Sequence, residues 1–573
     1  MHDSQAPSPT LDAFLRLRGS FFERYLRFQP EEATTLGLHE LDDQLKDCSP
    51  EALAEEGAFH RDVLAQLERI PPEELPPGEQ LDRLAMLSVA RFQVHTYADL
   101  HSHRHNLELS TYPHTMLQYQ LGQAETPEDW SALARRTARI PAFLQQQERN
   151  LVEGVATGQV PDAQVLLAFV DEQLPAIASY FEHLPALPAA HEVTLSASEA
   201  RLLQEAARSA RESFTSHLRF LRERVLPQAR PDEVLGDEEY QWRLEHLLGL
   251  STSPDELMRQ AEDVLERIRP DLLRLASQLA AKVPGAPSTV SDLGEARALL
   301  ALLETETPQR DEDVIPLYRG HLARAELFIH ERKLFNIPEG CRLGMKPVPP
   351  GMVDVRGTNW PAPLLDPRKV GWFVVAPDAS AHPTVWSALL AIHEGIPGHF
   401  LQSLAWQRGF SHHPAPVRFL MVTDHVAMAR SHFGPMLNIE GYATYAEERM
   451  RRAGFYTGPE ELTALLARAL RAVRVVTDIG LHTRRMSEED AVRYMMHHAC
   501  MPEPNARREL LRYKRIPQQA ITYLLGALEF EQLEADCRRE RGSRFDEAAF
   551  HDELFSFGPV PPALLRRFML TAA

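Results

Sequence analysis

The sequence predicts a mainly α-helical protein with one short β element. Apolar residues recur every three to four positions over most of the chain, prolines fall between these segments, and a single region departs from the pattern. The 573 residues are enough to bury a large core. The amphipathic segments that predict helices are Leu11 to Phe28, Leu81 to Leu100, Trp130 to Val155, Ala197 to Val225, Pro254 to Ala281 and Arg310 to Phe335.

The clearest predicted helix start lies at Ser253. A serine can cap the free N–H groups, Pro254 suits the first helical position, and acidic residues follow in the first turn. Asp311 and Thr384 are predicted starts on weaker signals of the same kind.

The pattern changes between Cys341 and Ala381, where prolines and glycines cluster. Two runs inside this region, Gly351 to Val355 and Gly371 to Ala376, have the apolar and β-branched character of strands. From Pro383 the helical pattern returns and is expected to continue to the C-terminus.

These observations predict two lobes packed into one unit. The first is a helical lobe over residues 1–340. The second covers residues 341–573 and contains the small β element at 341–381, directly before the next helix.

The charge of the chain argues against several classes of partner. The formal net charge is −20 and the isoelectric point is about 5.7. Binding to nucleic acid or to an anionic membrane surface requires clustered Lys and Arg. We therefore expect neither partner.

The cell compartment is predicted to be the cytoplasm. No run of ~18 apolar residues occurs, and the N-terminus lacks a basic stretch followed by an apolar one. The four cysteines, Cys48, Cys341, Cys500 and Cys537, are far apart and form no C-x-x-C pair. They therefore predict neither a disulfide framework nor a cysteine metal site.

The most distinctive motif is His393-Glu394-Gly-Ile-Pro-Gly-His399, which follows an apolar helical run. With 25 histidines in the chain, a close pair can arise by chance. However, Glu394 lies in an apolar helix, where a carboxylate is costly to bury unless it is paired or binds a metal. The motif therefore predicts a divalent metal site.

The spacing of the two histidines requires a break in the helix. In the zinc motif H-E-x-x-H they lie four residues apart on one face, whereas positions six apart diverge by about 120° in a regular helix. Pro397 cannot continue the hydrogen-bonding of the helix, and Gly398 permits unusual backbone angles. We predict that this Pro-Gly insert acts as a bulge that returns His399 to the side of His393.

A third ligand and a general base complete the predicted site. Catalytic zinc usually binds three protein ligands and one water. Glu440, in an acidic helical segment further along the chain, is the predicted third ligand. Glu394 is the predicted base, which takes a proton from water and passes it to the leaving amine.

Several segments together resemble the bacterial family called domain of unknown function 885, which is similar to gluzincin-type zinc metallopeptidases. The motif resembles the family signature H-E-x-x-P-G-H, although Phe400 stands where the family often has a second histidine. The other matching segments are Phe22 to His39, Ile439 to Glu447, Asp478 to His482 and Tyr513 to Gly526. The resemblance implies a two-lobed, zincin-like helical peptidase and supports Glu440 as ligand.

Further roles follow from the matched segments. Tyr523 and His482 are candidates to donate hydrogen bonds to the oxyanion of the reaction. Arg474 or Arg512 is a candidate to bind a substrate carboxylate. An ordinary structural role remains the alternative for each: a core tyrosine or a salt-bridged arginine.

The predicted function is a zinc-dependent peptidase that acts on peptides. Analogy with other helical zinc peptidases favours short peptides. Two alternatives remain open: another metal-dependent amide hydrolase, and a helical binding protein with a degenerate site. The sequence makes no prediction about cleavage position or oligomeric state.

Overall fold

Helices build most of the structure, as the sequence predicts. The computed structural model describes residues 8–231, 234–286, 289–348, 356–423, 429–431 and 435–570. Short 3₁₀ and π-helical turns extend or join several of the helices. The helices that precede the sheet are α1 (Pro9–Phe28), α2 (Pro30–Leu36), α3 (Pro50–Glu68), α4 (Pro77–Gln93), α5 (Glu108–Gln123), α6 (Pro127–Thr137), α7 (Ile140–Thr157), α8 (Ala163–Ala168), α9 (Leu174–His183), α10 (Leu187–Ala190), α11 (Ala197–Phe220), α12 (Asp237–His246), α13 (Pro254–Ala280), α14 (Leu293–Leu303) and α15 (Val314–Arg332).

The second half of the chain contains the strands and the remaining helices. The strands are β1 (Gly344–Pro347), β2 (Gly357–Trp360), β3 (Trp372–Val375), β4 (Met421–Thr423) and β5 (Ala429–Ser431). The helices are α16 (Thr384–Glu394), α17 (His399–Phe410), α18 (Pro435–Ala453), α19 (Pro459–His482), α20 (Glu488–His498), α21 (Glu503–Arg515), α22 (Thr522–Arg541), α23 (Glu547–Ser556) and α24 (Pro562–Met569).

Side-chain caps explain where several helices begin. The hydroxyl of Ser253 accepts a hydrogen bond from the backbone N–H of Glu256, which confirms the predicted start of α13. Ser196 and Glu199 form a reciprocal capping box at the start of α11. The predicted helix from Trp130 to Val155 is instead two helices, because α6 ends at Thr137 and α7 begins three residues later with a proline in its first turn.

A small mixed sheet lies between α15 and α16. The strand order is β1-β3-β2, with β1 parallel and β2 antiparallel to β3. Strand β3 confirms the predicted run from Gly371 to Ala376, while the predicted strand from Gly351 to Val355 lies outside the described residues. Among the described residues, the other edge of β2 has no strand partner, and β2 packs next to α16.

The expectation that helix continues unbroken after Pro383 is wrong. Strands β4 and β5 form an antiparallel pair between α17 and α18. The segment that enters this pair, Phe419 to Thr423, is apolar and ends in two β-branched residues, which favour extended backbone.

The largest apolar core contains side chains from both halves of the chain. Phe21 of α1, Phe373 of β3, Ile392 of α16 and Phe530 of α22 are all fully buried in it. A second core lies mainly among α5 to α11, and a third joins α12 and α13 to α19 and its neighbours. The division into lobes at residue 340 stays a prediction. Among the described residues, no helix is both long enough and apolar enough to cross a membrane.

Arg136 should be essential for stability. Its fully buried guanidinium donates to the carbonyls of Gln44 and Leu41, the hydroxyl of Thr34 and the amide oxygen of Gln120. We expect Arg136→Met to lower the free energy of unfolding by roughly 3 kcal/mol or more, because several buried acceptors lose a charged donor. Urea denaturation would measure this.

The neighbouring residue provides the control. Arg135 is half exposed and lies 3.6 Å from Asp43, so Arg135→Met should change stability by less than about 1 kcal/mol. Equal denaturation midpoints for the two variants would contradict the role given to Arg136.

Candidate metal centre

A sharp turn separates the two helices that carry the histidines. Helix α16 ends at Glu394 and α17 begins at His399, with residues 395–398 forming the turn. The N–H of Gly398 donates to the carbonyl of Ile392 at 3.0 Å. A side chain at Gly398 would place its Cβ only 2.0 Å from the carbonyl oxygen of His393. Only glycine therefore allows the chain to turn this tightly.

The turn brings the two imidazoles together. The ring centroids of His393 and His399 are 4.6 Å apart and the rings are nearly perpendicular. The sequence predicted a bulge within one helix, whereas the structure has two helices and a complete break. Phe400 is buried in the apolar core.

Glu440 of α18 completes a group of three potential ligands. One of its carboxylate oxygens lies 3.2 Å from Nε2 of His393 and 3.5 Å from Nε2 of His399. The three ligand atoms lie within 4.8 Å of one another. Two imidazole nitrogens and one carboxylate oxygen are a donor set that suits a divalent metal with a position left for water. The residues present therefore fit a metal ion.

Close packing of two helices positions Glu440. A Cβ on Gly441 of α18 would come within 2.5 Å of the backbone of Gly526 on α22, and a Cβ on Gly526 would come within 2.1 Å of the carbonyl oxygen of Leu437. The two helices can approach this closely only because both positions lack side chains. This contact brings Glu440 on α18 and Tyr523 on α22 to the same cavity.

A second carboxylate, from Glu447, contacts His393 at its other ring nitrogen, Nδ1. Oε1 of Glu447 lies 2.6 Å from Nδ1 of His393, and both carboxylate oxygens accept hydrogen bonds from Arg471 at 2.6 and 2.7 Å. With Nδ1 donating to Glu447, Nε2 presents its lone pair toward Glu440 and a metal. Sequence reasoning gave Glu447 no role. Its position seven residues after Glu440, on the same face of α18, is the signal that could have found it.

The electrostatics of the group are set by opposite charges in close contact. Burial alone lowers the pKa of His393, but the contacts with Glu440 and Glu447 outweigh it and raise that pKa to about 10. Burial likewise raises the pKa of Glu440, but the two imidazoles lower it well below its ordinary value. A divalent cation would replace the proton as the positive charge in this group.

Glu394 lies beside the three ligands with one oxygen fixed. Its Oε2 accepts a hydrogen bond from the backbone N–H of Asn359 in β2 at 2.7 Å. Burial raises the pKa of Glu394 above its ordinary value, despite the opposing effect of His393 and His399. A carboxylate with a raised pKa is suited to accept and return a proton.

A cavity of about 560 Å³ contains this group. One wall is the free edge of β2 with the chain that follows it, from residue 357 to 364. The cavity is also lined by the candidate ligands and the candidate base, His393, His399, Glu440 and Glu394, and by Arg512 and Tyr523. The cavity is large enough for a short peptide segment or another small substrate.

Tyr523 lies beside His393, and its hydroxyl oxygen accepts two hydrogen bonds. Its ring lies 6.1 Å from the ring of His393 and nearly parallel to it. The oxygen accepts hydrogen bonds from Gln519 at 3.2 Å and from Arg512 at 3.4 Å. The hydroxyl proton therefore remains to be donated to a ligand.

Two of the predicted site residues, His482 and Arg474, do not line this cavity. His482 ends α19, donates from Nε2 to the carbonyl of Tyr513 at 2.9 Å, and borders a separate cavity of about 350 Å³. Arg474 forms a two-pronged pair with Glu509 at 2.9 and 3.0 Å. Its guanidinium lies 5.3 Å from the ring of Tyr523, so Arg474 contacts this tyrosine rather than lining the cavity described above.

Gly398→Ala should abolish stoichiometric metal binding. The new methyl group would meet the backbone carbonyls of Ile392 and His393 and would force His399 away from its partner ligands. Elemental analysis of the purified variant, after loading with zinc and desalting, would measure the loss.

Gly409 of α17, the helix that follows the turn, is the matched control. Nothing lies within 4 Å of a Cβ built there, so Gly409→Ala should retain the metal and gain up to about 1 kcal/mol in stability from helix propensity. Full zinc content in Gly398→Ala would show that the turn does not set the site.

Glu447→Gln should weaken metal binding by roughly 10- to 100-fold, because a neutral amide orients and polarises His393 less strongly than a carboxylate. Competition with a chelator of known affinity would measure this. Glu448→Gln is the control, since Glu448 pairs with Arg451 and Arg452 instead of a ligand. Equal zinc affinities for the two variants would contradict the role of Glu447.

Comparison with known proteins places the chain in a family. The sequence profile of the family described as bacterial protein of unknown function (DUF885) matches residues 30–569. No curated protein matches the sequence at a significant level.

Two solved structures share the fold. One, described as a "putative lipoprotein of unknown function" from Shewanella oneidensis, has a TM-score of 0.74 at 19% identity and covers 97% of this chain and 99% of its own. The other, described as a "putative lipoprotein" from Colwellia psychrerythraea, has a TM-score of 0.77 at 18% identity and covers 98% of both chains. The family profile spans nearly the whole sequence, so this protein is a member of the DUF885 family of bacterial proteins of unknown function.

Proposed function

We propose that this protein is a zinc-dependent peptidase. The observation that carries the proposal is the placement of Glu394 beside the His393, His399 and Glu440 group in one cavity. Zinc is favoured over magnesium or calcium, because two of the three donors are imidazole nitrogens.

When bound, zinc would supply a Lewis acid that polarises the scissile carbonyl and lowers the pKa of water. Glu394 takes a proton from the attacking water and delivers it to the leaving amine. The hydrogen bond from Asn359 fixes one carboxylate oxygen of Glu394, which leaves the other for this transfer. The buried environment keeps the carboxyl basic enough to accept the proton.

Tyr523 is the proposed donor to the oxyanion. Gln519 and Arg512 donate to its oxygen, so its own proton is free to face the substrate carbonyl. A fixed O–H group beside the reacting carbonyl stabilises the negative charge that develops on its oxygen. The position of His482 at a separate cavity gives it no part in this step.

The edge strand supports a peptide as substrate over a small amide. Within the described part of the chain, strand β2 pairs with β3 along one edge, and at the other edge the N–H of Asn359 donates to Glu394. An extended peptide can lie along such an edge and be presented to the metal by backbone hydrogen bonds. Hydrolysis of other amides remains the second candidate, since the same metal and base serve any carbonyl.

The cell compartment has two candidates. The sequence predicts the cytoplasm, whereas both similar structures are described as lipoproteins, a class held at a membrane surface by attached lipid. A location in the cell envelope is therefore proposed beside the cytoplasmic one. The acidic net charge continues to argue against nucleic acid as a partner.

Glu394→Gln should retain zinc and lower peptidase turnover by roughly 100- to 10,000-fold, because the amide cannot accept the proton from water. His393→Ala should instead lose the zinc itself. Hydrolysis of a mixed peptide library, followed by mass spectrometry together with elemental analysis, would measure both effects.

The two variants separate loss of the base from loss of the metal. A Glu394→Gln variant that hydrolyses peptides at the wild-type rate with zinc bound would rule out the base assigned here. Zinc-loaded wild-type protein that cleaves no peptide in the library would overturn the peptidase proposal.

A further inference from the structure

We propose that Arg512 binds the C-terminal carboxylate of the substrate, so that this protein removes residues from the free C-terminus of short peptides. The inference rests on the proposed peptidase function and specifies its substrate class. It follows from where Arg512 lies, which charges surround it, and how far it is from the ligand group.

Arg512 reaches the cavity from the end of α21. Its side chain is 29% exposed and lines the same cavity as the His393 group. One terminal nitrogen contacts the amide oxygen of Gln519 and the hydroxyl of Tyr523. Both contacts are to neutral groups, and they hold the guanidinium in one place at the cavity wall.

Among the residues that the structure describes, the carboxylate beside Arg512 is Glu509, which Arg512 shares with a second arginine. Glu509 accepts two hydrogen bonds from Arg474 and a third from the hydroxyl of Tyr513. The distance from Glu509 to Arg512 is longer, at 3.6 Å. Arg471 is paired separately with Glu447. Two guanidinium groups therefore share Glu509, and the one that faces the cavity carries the surplus positive charge.

The ligand group offers a substrate carboxylate no surplus positive charge. Glu394 and Glu440 would balance the two charges of a bound zinc ion, so a substrate carboxylate is attracted to Arg512 instead. A guanidinium binds a carboxylate through two parallel hydrogen bonds, which gives both affinity and orientation. This division of charge fixes the direction in which a peptide enters.

The distance to the ligand group suits an enzyme that acts near a chain end. Arg512 and His393 both lie beside Tyr523: the guanidinium is 6.0 Å from the centre of the tyrosine ring, and the imidazole is 6.1 Å from it. An extended residue spans about 3.5 Å. A carboxylate held by Arg512 therefore lies one or two residues beyond the bond that is cleaved.

Arg356 is the alternative cation in this cavity. Arg356 is exposed and lines the cavity directly before β2, whereas Arg512 lines it from α21. If Arg356 bound the carboxylate, the peptide would run in another direction. The two arginines therefore make a matched pair of charge-removing substitutions.

The experiment compares two N-acetylated peptide libraries of the same composition, one with a free C-terminal carboxylate and one with a C-terminal amide. Full-length, zinc-loaded wild-type protein, Arg512→Met, Arg512→Lys and Arg356→Met are each assayed by mass spectrometry. Zinc content and melting temperature confirm that each variant is folded. Binding is measured separately by calorimetry on the Glu394→Gln variant, with N-acetyl-tetra-alanine as acid and as amide.

We expect the wild type to cleave the acid library at least about tenfold faster than the amide library, because the amide loses the charged hydrogen bonds to the carboxylate. The cleavage should release one or two residues. Arg512→Met should remove this preference by slowing cleavage of the acid library. Arg512→Lys should retain a reduced preference, and Arg356→Met should retain it in full.

Equal cleavage of both libraries by the wild type would overturn the inference while leaving the peptidase proposal intact. Loss of the preference in Arg356→Met but not in Arg512→Met would overturn the assignment to Arg512. If neither acetylated library is cleaved, removal of C-terminal residues is ruled out, and the mixed peptide library used for the Glu394→Gln test decides whether the peptidase proposal fails as well. The binding data then decide only whether Arg512 binds a carboxylate. Tighter binding of the acid than of the amide, abolished by adding Arg512→Met, supports this site. Equal binding of acid and amide overturns it.

Discussion

The close approach of Gly398 to the carbonyl groups of Ile392 and His393 is the constraint on which the site depends. A regular helix would point His399 about 120° away from His393. The turn at 395–398 instead ends one helix and starts another, so that both imidazoles face Glu440. Because any side chain at Gly398 would overlap backbone atoms, neighbouring residues cannot relieve the contact by changing rotamers.

Burial of charge at this site is possible because each charged group has an assigned partner. Glu440 faces both histidines, Glu447 is held between His393 and Arg471, and Glu394 accepts from the backbone of Asn359. An unpaired buried carboxylate would cost several kcal/mol. Since Glu440 and Glu447 lie two turns apart on α18, one helix supplies both the direct ligand and the group that orients the other ligand.

Local pattern was enough to predict most of the helices and the paired histidines, because both depend on short spacings. The spacing of His393 and His399, with Pro and Gly between them, indicated a distortion of the helix. The candidate third ligand, Glu440, lies 47 residues from His393 and was predicted from its acidic segment and the family resemblance. Other contacts distant in sequence were not accessible in this way. The pair Gly441 and Gly526 sets the separation of α18 and α22, and His482 appeared equivalent to Tyr523 until the fold placed it at another cavity. The short β4 and β5 pair was missed because a few extended residues barely interrupt a helical pattern.

Tyr523 contacts both His393, in the candidate ligand group, and Arg512, the candidate carboxylate-binding residue. Its ring lies against His393, its oxygen accepts from Gln519 and Arg512, and Arg474 lies over the ring. The hydroxyl proposed as oxyanion donor is thus positioned by the residue proposed to hold the substrate carboxylate. A ligand that engages Arg512 would therefore also fix the orientation of this donor, and binding energy from a group that does not react would be used to organise the reacting one. This coupling gives a reason for the two donors at the hydroxyl of a half-buried tyrosine: Arg512 and Gln519 donate to its oxygen and leave its proton for the substrate.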